Sequence, residues 1–340
     1  MTFTFKLARR GARLRARASL LVLATLACNA EDHTSPTAPS APTDPPASTP
    51  AADTTTATPS SAMAARGIPF GDFHLPTPRY RAPYTGALRA LWPSGTLAEL
   101  NAARAAHFRI VVSLAGDRRS FTNSNGTFNM ALWRTQINRY RRFNLQSYVA
   151  DGTVIGHYLV DEPFCASCWG GRVIPASQVE EMARYSKSIW PQLPTIVRSP
   201  PSLLAQQNYR YLDVAWAQWE GPLHTPSYRM TPEQFRDRET AAAKARTLGL
   251  IFGMNYLDAG DGSSRIAGTY RNATSPKVNR WQMSAAEVKR VGAVFAAASY
   301  GCALLSWRYS TSFLSRSGMS SALSQVSSLA TNRERSPCVR

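Results

Sequence analysis

Helix-start signals alternate with short apolar runs along the chain after residue 66. Four segments have the capping-box pattern, in which a Ser or Thr is followed three residues later by Glu or Gln, so that both side chains satisfy orphan backbone N–H groups. These segments are Thr96–Glu99, Ser177–Glu180, Thr231–Gln234 and Ser284–Glu287. A short apolar run follows each predicted helix, and this order is typical of strands that alternate with helices.

The apolar runs predict seven strands. They lie at Gly86–Leu91, Arg109–Leu114, Val154–Val160, Thr195–Arg198, Leu212–Trp219, Leu250–Tyr256 and Ala303–Trp307, and a further helix is predicted over Met130–Tyr140. Strands that are apolar on both faces favour a parallel sheet covered by helices. About 270 residues suit a (β/α)8 TIM-type barrel. Ile68–Phe73 supplies the eighth strand, or the barrel is irregular and lacks one.

A doubly wound open sheet is the alternative architecture. The chain has no glycine-rich phosphate turn that would give such a sheet a nucleotide site. The barrel is therefore the favoured fold.

The first 65 residues carry export signals. Six basic residues between Lys6 and Arg17 precede the apolar run Leu20–Ala27, which is too short to span a bilayer stably, so residues 1–28 are predicted to be a signal peptide. Thr25-Leu26-Ala27-Cys28 resembles a bacterial lipobox, which implies lipidation of Cys28, and ordinary cleavage nearby is the alternative.

Residues 29–65 are rich in Pro, Thr, Ser and Ala, and they predict a disordered linker because they cannot bury enough apolar surface to offset their ordering entropy. The barrel domain is then residues 66–340. We expect an exported protein that is either lipid-anchored to the bacterial cell envelope or secreted.

The chain is basic, with 39 Lys and Arg against 21 Asp and Glu. Removing the six basic residues of the signal lowers the net charge from +18 to +12, and the remaining arginines are scattered along the predicted helices. A nucleic-acid site requires a clustered basic stripe and a recognisable motif, and neither occurs. An anionic polysaccharide or envelope polymer is a more natural partner, although solubility alone also explains the excess.

Four cysteines remain once Cys28 is set aside, an even number that suits an oxidising compartment. We expect one disulfide between Cys165 and Cys168 and another between Cys302 and Cys338, the second tying the C-terminal tail to the barrel. A redox or zinc-binding pair is the alternative for Cys165 and Cys168, but no second CxxC motif or nearby histidine completes a metal site. We expect neither a metal nor a cofactor.

Two adjacent carboxylates stand at the end of one predicted strand. The apolar run that begins at Gly156 ends in Asp161 and Glu162, and Pro163 stops the strand because it cannot donate to a ladder. In a (β/α)8 barrel this end opens on the face that carries active sites. The alternative is that Asp161 caps the next segment and Glu162 pairs with one of the many arginines.

The other strand ends add amides, arginines and aromatic side chains. Proteins bind sugars with such a set, because aromatic planes take the apolar ring faces and polar groups take the hydroxyls. The candidate catalytic carboxylates are Asp161, Glu162, Glu220 and Asp258. The candidate substrate-binding residues are His157, Arg198, Gln218, Trp219, Asn255, Tyr256, Trp307 and Arg308. Core packing is the alternative for each tryptophan, Trp216 included.

Asp161-Glu162-Pro163 resembles the Asn-Glu-Pro or Asp-Glu-Pro strand end of (β/α)8 glycoside hydrolases, and Trp307 resembles their sugar-stacking tryptophan. The resemblance implies hydrolysis of a polysaccharide with Glu162 as the acid/base. The second carboxylate of that family is usually a Glu near a late strand end, and Asp258 and Glu220 are the substitutes here. The neighbouring charge of Asp161 predicts a raised pKa for Glu162, and Arg198 or His157 could settle which of the two acids carries the proton.

Other chemistries lack their motifs. No HxH or HExxH pair occurs, which disfavours a multi-histidine metal hydrolase. No GxSxG segment occurs, which disfavours an α/β-hydrolase. The competing functions are a non-catalytic glycan-binding lipoprotein and a structural envelope protein. We expect a monomer whose partners are a polysaccharide or oligosaccharide and, through the lipid, a membrane.

Overall fold

Eight parallel strands close into a barrel in which each strand pairs with its neighbours in sequence and the last pairs with the first. A computed structural model describes residues 67–204, 207–222, 230–269, 280–334 and 336–339. The predicted signal peptide, Cys28 and the linker lie outside these residues. The strands are β1 (Phe70–Phe73), β2 (Gly86–Ala90), β3 (Arg109–Ser113), β4 (Val154–Asp161), β5 (Thr195–Arg198), β6 (Val214–Trp219), β7 (Gly249–Met254) and β8 (Gly301–Ser306). The predicted barrel is confirmed, and the run Ile68–Phe73 does supply a strand.

Helices surround the barrel. They are α1 (Thr96–Ala105), α2 (Met130–Asn138), α3 (Gln146–Ala150), α4 (Ala176–Ile189), α5 (Pro232–Lys244), α6 (Ala285–Ala296), α7 (Thr311–Leu314) and α8 (Met319–Asn332). Among the described residues, no helix combines the length and the apolar character needed to cross a lipid bilayer.

Large apolar side chains fill the inside of the barrel. Trp216 of β6 is fully buried there, and its ring centroid lies 4.5 Å from that of Phe73 and 5.9 Å from that of Tyr158. Gly253 of β7 makes room for the indole, since a Cβ at this position would lie 2.8 Å from Trp216 Nε1. Trp216 is therefore a core residue, which was the alternative prediction for the tryptophans.

Alternate residues of the same strands face the helices. Phe70, Val112, Ala215, Phe252 and Leu304 are fully buried in the layer between the barrel and the helices. Side chains along a strand point alternately to its two faces. A polar residue near a strand end therefore reaches either the barrel mouth or the layer under the helices, according to its place in this alternation.

Two of the four predicted capping boxes form. Thr231 with Gln234 and Ser284 with Glu287 make the reciprocal hydrogen bonds that start α5 and α6. At Thr96 the predicted helix start is confirmed, but the capping box does not form: Gly95 precedes α1, and the Glu99 carboxylate is bound instead by Tyr80 and Arg89 outside the helix.

The prediction of a capping box at Ser177 is also wrong. Pro175 is the residue before α4, and no side-chain hydrogen bond caps the helix. The Glu180 carboxylate accepts backbone N–H groups of Arg210, Tyr211 and Leu212. In both cases residues that are distant in the sequence, or outside the helix, bind the glutamate (Glu99 or Glu180) that a capping box would have used.

Both predicted disulfides are present. Cys302 joins Cys338, and Cys165 joins Cys168. The first bond fixes the C-terminal tail against the N-terminal end of β7, where a Cβ at Gly249 would lie 1.8 Å from the Cys338 carbonyl oxygen. The second bond lies at the opposite end of the barrel, in the segment that follows β4.

Candidate active site

Glu162 follows β4 at the C-terminal mouth of the barrel and has a left-handed backbone with φ of +41°. Its N–H donates to the Arg198 carbonyl at 3.0 Å, and its own carbonyl accepts from Cys165 N–H at 3.0 Å and Trp169 Nε1 at 2.9 Å. A non-glycine residue in this region costs about 1–3 kcal/mol and persists only where its surroundings over-determine it, which is common at active sites. The backbone is thus fixed, while 36% of the side chain remains exposed.

Arg198 is the centre of the polar network in the mouth. Its side chain is only 8% exposed, and Nη1 donates to Gln218 Oε1 at 2.7 Å. Nη2 lies 3.0 Å from Glu162 Oε1, and Nε donates to Asp161. The predicted alternative for Glu162, an ion pair with arginine, is therefore present, and the Glu162 side chain stays partly exposed beside the buried guanidinium.

Asp161 is held in place by three neighbours. The Tyr158 hydroxyl donates to its Oδ1 at 2.8 Å, Arg198 binds the same oxygen, and Arg118 Nη2 approaches Oδ2 at 3.8 Å. The expectation that Asp161 caps the next segment is not supported by these contacts. With these contacts Asp161 is suited to orient Arg198.

The charges around Glu162 oppose one another. The Arg198 guanidinium has the largest single influence and favours the ionised form, but burial together with the charges of Asp161 and Glu220 outweighs it and raises the pKa of Glu162. A carboxyl group with a raised pKa is suited to donate a proton near neutral pH. The predicted direction of the pKa shift agrees with this result, and Asp161 contributes to it.

Glu220 is better situated than Asp258 as a partner carboxylate. Glu220 directly follows β6, and its charge acts on both Glu162 and Arg198. Asp258 is 3% exposed, and a Cβ at Gly268 would lie 2.5 Å from its Oδ1, so the chain covers it. At the end of β7 the mouth presents Asn255, which is buried and carries no charge.

Aromatic and basic side chains complete the mouth on the side of β8. Trp307 follows β8, and its ring centroid lies 5.1 Å from that of Phe73. The Arg198 guanidinium carbon lies 5.2 Å from this centroid, and that of Arg308 lies 5.7 Å from it. The structure thus brings Asp161, Glu162, Arg198, Gln218, Trp307 and Arg308 together, as predicted.

Three predicted substrate-binding residues face the helices instead. His157 is fully buried, with Nδ1 2.8 Å from Ser186 Oγ of α4 and its ring stacked on Trp133 of α2. Burial lowers the pKa of His157 to about 3, so the ring is neutral at ordinary pH. The prediction of a role at the rim is wrong for His157, because its neighbour Tyr158 takes the inward position in the alternation of β4.

Trp219 and Tyr256 are the other two. The Trp219 ring packs edge-on against Phe235 of α5 and Phe295 of α6, and Tyr256 stacks on Phe313 of α7 at 5.2 Å. Both are core residues, so the prediction that they bind substrate is wrong. Trp219 also borders a small cavity of about 210 Å³ beside the starts of α5 and α6.

Three residues at the mouth were not predicted. His74 follows β1 with φ of +56°, is exposed, and lies edge-on to Trp307 at 6.3 Å. Trp92 lies two residues after β2 and is 61% exposed. Arg118 follows β3 and donates to the Cys168 carbonyl at 3.0 Å. All three lie just beyond the C-terminal ends of β1, β2 and β3. The residues after these early strands carry the same signal as those after the later strands, from which the candidates were taken.

One group of three potential metal ligands occurs among the described residues. Ligand atoms of Glu162, Cys165 and Cys168 lie within 4.8 Å of one another. Both sulfurs belong to the disulfide, so neither is available as the thiolate that a metal requires.

The barrel is similar to solved structures of glycoside hydrolases. An endo-β-1,4-mannanase double mutant from Cellulomonas fimi has a TM-score of 0.52 and 13% identity, with 79% of this chain and 75% of that chain covered. Xylanase 10B from Thermotoga petrophila in complex with xylobiose has a TM-score of 0.47 and 11% identity, covering 78% and 95%. A glucosidase from Croceicoccus marinus has a TM-score of 0.46 and 14% identity, covering 79% and 69%.

No known family profile matches the sequence, and no curated protein sequence matches it. Identities this low establish a shared fold alone, because unrelated activities use the same barrel. The residues at the mouth therefore decide which function this barrel supports.

Proposed function

We propose that this protein is a glycoside hydrolase that acts on a polysaccharide. The observation that carries the proposal is Glu162: a strand-end carboxyl group with a fixed left-handed backbone, a partly exposed side chain and a raised pKa. Hydrolysis of a glycosidic bond requires one carboxyl group that donates a proton and a second that is ionised. Glu220, whose charge acts on Glu162, is the proposed second group.

In the proposed reaction, Glu162 gives its proton to the glycosidic oxygen as the bond to the sugar breaks. Glu162 Oε1 is occupied by Arg198, so the proton is carried on Oε2. Glu220 either attacks the sugar carbon or takes a proton from the attacking water. Carboxyl groups about 5–5.5 Å apart imply retention of configuration, and groups about 6.5–9.5 Å apart imply inversion.

Aromatic side chains support a sugar as the ligand. Trp307 offers a partly exposed ring beside the carboxylates, and Trp92 offers a largely exposed ring above β2. Ala90 and Ser113, the last inward residues of β2 and β3, pair across the two strands and are small. The mouth is therefore open next to Trp92, as a stacking surface for sugar rings requires.

The test is hydrolysis of a panel of mannan, xylan, laminarin and a uronate-containing polymer by the full chain, measured as new reducing ends. Glu162→Gln and Glu220→Gln are each expected to lower kcat by about 10²–10⁴-fold, the usual contribution of acid–base catalysis. The midpoint of thermal unfolding should change little.

Glu181→Gln is the matched control. Glu181 lies on α4, pairs with Arg134 and Arg184, and is remote from the mouth, so this variant should keep wild-type activity. Full activity of Glu162→Gln would remove Glu162 from the mechanism. A wild-type chain that releases no reducing ends from any polymer would contradict the hydrolase.

A non-catalytic glycan-binding protein is the second candidate. Arg198 pairs with both Asp161 and Glu162, and the end of β7 carries Asn255 where the resemblance leads one to expect a glutamate. This function predicts that wild type and Glu162→Gln bind the same glycan equally and that neither releases product. Calorimetry with both proteins separates the two candidates.

We also propose that the protein is exported and that a lipid on Cys28 tethers the barrel to the cell envelope through residues 29–65. The two disulfides support an oxidising compartment. Labelled fatty acid should be incorporated by the wild type and not by Cys28→Ala. Equal labelling of both chains would contradict the anchor.

A further inference from the structure

The Cys165–Cys168 disulfide closes the segment that immediately follows Glu162. Cys165 directly precedes a short 3-10 helix, Ala166–Trp169, and Cys168 is the third residue of that helix. Cys165 N–H and Trp169 Nε1 both donate to the Glu162 carbonyl, at 3.0 Å and 2.9 Å. The disulfide thus constrains both groups that hold the backbone of Glu162 in its left-handed conformation.

The disulfide also touches the carboxyl group itself. Cys168 Sγ lies 3.7 Å from Glu162 Oε2, whereas Oε1 is bound by Arg198. A thiol at this distance could donate a hydrogen bond, but a disulfide sulfur carries no hydrogen. The two oxygens therefore have unlike surroundings: Oε1 faces a cation, and Oε2 faces a sulfur that cannot donate.

We propose that the Cys165–Cys168 disulfide is a positioning pair that keeps the proton of Glu162 on Oε2 by excluding a hydrogen-bond donor from that oxygen. The inference rests on the proposed role of Glu162 as a proton donor. An ionised Oε2 gains nothing from the sulfur, whereas a protonated Oε2 is free to turn its hydrogen toward the glycosidic oxygen. The other charged or titratable groups that act on Glu162 are Arg198, Asp161, Glu220, Arg118 and Tyr158.

Opening the disulfide should reverse this preference. An added phosphine reductant supplies two electrons, the S–S bond breaks, each sulfur takes a proton from water, and the phosphine becomes its oxide. The new Cys168 thiol can then donate to Oε2 and stabilise the ionised carboxylate, which lowers the pKa of Glu162. The acid would be deprotonated at a lower pH, and the basic limb of the pH–activity profile would move down with it.

The test compares two variants that both lack the disulfide. Cys165→Ala leaves the Cys168 thiol beside Oε2, whereas Cys165→Ala combined with Cys168→Val removes the donor as well. We expect the first to move the basic limb of kcat/KM down by about 0.5–1 pH unit, the effect of one hydrogen bond. The second should keep the limb near the wild-type position, although its kcat falls if the loop loosens.

Cys302→Ala combined with Cys338→Ala is the matched control, because it removes a disulfide at the other end of the barrel. It should lower the unfolding midpoint and leave the pH profile in place. An equal displacement of the limb in this control, or none in Cys165→Ala, would overturn the proposal.

A second readout separates this inference from the proposed function. The pKa of Glu162 can be followed by carbon NMR of protein labelled at the glutamate carboxyl, with the signal assigned by its loss in Glu162→Gln. A downward shift in Cys165→Ala without any hydrolysis would support the positioning pair and contradict the hydrolase. An unchanged titration in a chain that does hydrolyse glycan would contradict the positioning pair alone.

Discussion

Inside the mouth of the barrel, Asp161, Arg198 and Gln218 form a hydrogen-bonded network that borders solvent, whereas Asp72 and His157 lie on the outer side of the same wall, sealed under the helices. The Arg198 guanidinium pairs with both inner carboxylates, Asp161 and Glu162, at the edge of the solvent. The outer groups have no such partner and are neutralised by burial. The environment of each face, rather than the residue type, decides whether a polar side chain is available for chemistry.

The outer face shows this most clearly at Asp72. The residue is fully buried in β1, and burial raises its pKa to about 7 although the hydroxyls of Tyr84 and Tyr256 oppose the rise. A carboxyl group in such a site is kept as the neutral acid over much of the physiological range.

Removing the cation from the inner face should have the largest effect on stability and activity together. Arg198→Leu removes the cation that pairs with both Asp161 and Glu162 and leaves them only the longer contact of Arg118, 3.8 Å from Asp161. We expect a loss of about 2–3 kcal/mol in the free energy of unfolding, less than the about 3–5 kcal/mol of a fully buried pair because both acids remain partly solvated. Chemical denaturation measures the loss, and hydrolysis should fall below detection.

Arg198→Lys separates charge from geometry. Lysine keeps the positive charge but cannot form the fork that binds Asp161, Glu162 and Gln218 at once. It should recover most of the stability and little of the activity. A leucine variant as stable as wild type would show that the inner network contributes nothing to folding.

Asp72 on the outer face should make the protein less stable as pH rises. The pKa is about 7 in the folded chain against an ordinary value of 3.8, so the folded state binds the extra proton between these values. The contribution of Asp72 to stability is therefore greatest below about pH 4 and falls until about pH 7. Asp72→Asn should remove this slope and gain about 4 kcal/mol at pH 8, since one pKa unit corresponds to about 1.36 kcal/mol.

Chemical denaturation of the wild type and of Asp72→Asn at pH 4 and pH 8 tests the direction of this pH dependence. The two proteins should be similar at the lower pH and diverge at the higher one. A constant difference across this range would mean that Asp72 does not titrate on folding.

His157 should have the opposite slope. Burial lowers its pKa to about 3 from an ordinary 6.5, so the unfolded chain binds the proton between these values. The contribution of His157 to stability is therefore lost as pH falls below about 6.5, and this loss reaches about 4 kcal/mol by pH 3. His157→Gln keeps a partner for Ser186 and should flatten the decline. If the free energy of unfolding of His157→Gln falls as steeply at acid pH as that of the wild type, His157 is not the cause of the decline.

Much of this architecture follows from the sequence because its signals are local. Short apolar runs predicted the strands. Pro163 indicated where β4 ends and thus placed Asp161 and Glu162 at that end. The face on which a side chain lies is not local information. Reading every residue near a strand end as part of the rim placed His157 and Trp219 in the site, although the alternation of each strand turns them toward the helices.

The side chains that bind these acids could not be predicted from local sequence either. Arg198 lies 37 positions along the chain from Asp161, and the pairing of β4 with β5 brings the two together. Glu99 was predicted to be a capping residue, but its carboxylate binds Arg89, where α1 packs beside β2. The pairing of Cys165 with Cys168 could be predicted from spacing, but its contact with Glu162 Oε2 could not.

The smallest expected effect is that of replacing Trp92, an apolar side chain at the open mouth of the barrel. Leu91 packs toward the helices, so the next residue continues the inward alternation of Leu88 on β2. The indole is nevertheless 61% exposed, and folding gains little from it. If it stacks on a sugar ring, Trp92→Ala should leave the unfolding midpoint nearly unchanged and raise KM for a long polymer by up to about tenfold, the value of about 1.4 kcal/mol.

The substrate length decides whether this effect comes from stacking at a distance from the carboxylates. KM for a long chain should rise in Trp92→Ala while kcat and the activity on a disaccharide glycoside stay near wild type, because the short substrate does not reach β2. Trp92→Phe should recover part of the affinity, since a smaller aromatic plane remains. Equal losses on short and long substrates would instead assign Trp92 to the catalytic centre, and no loss on either would make it a surface residue without a role in binding.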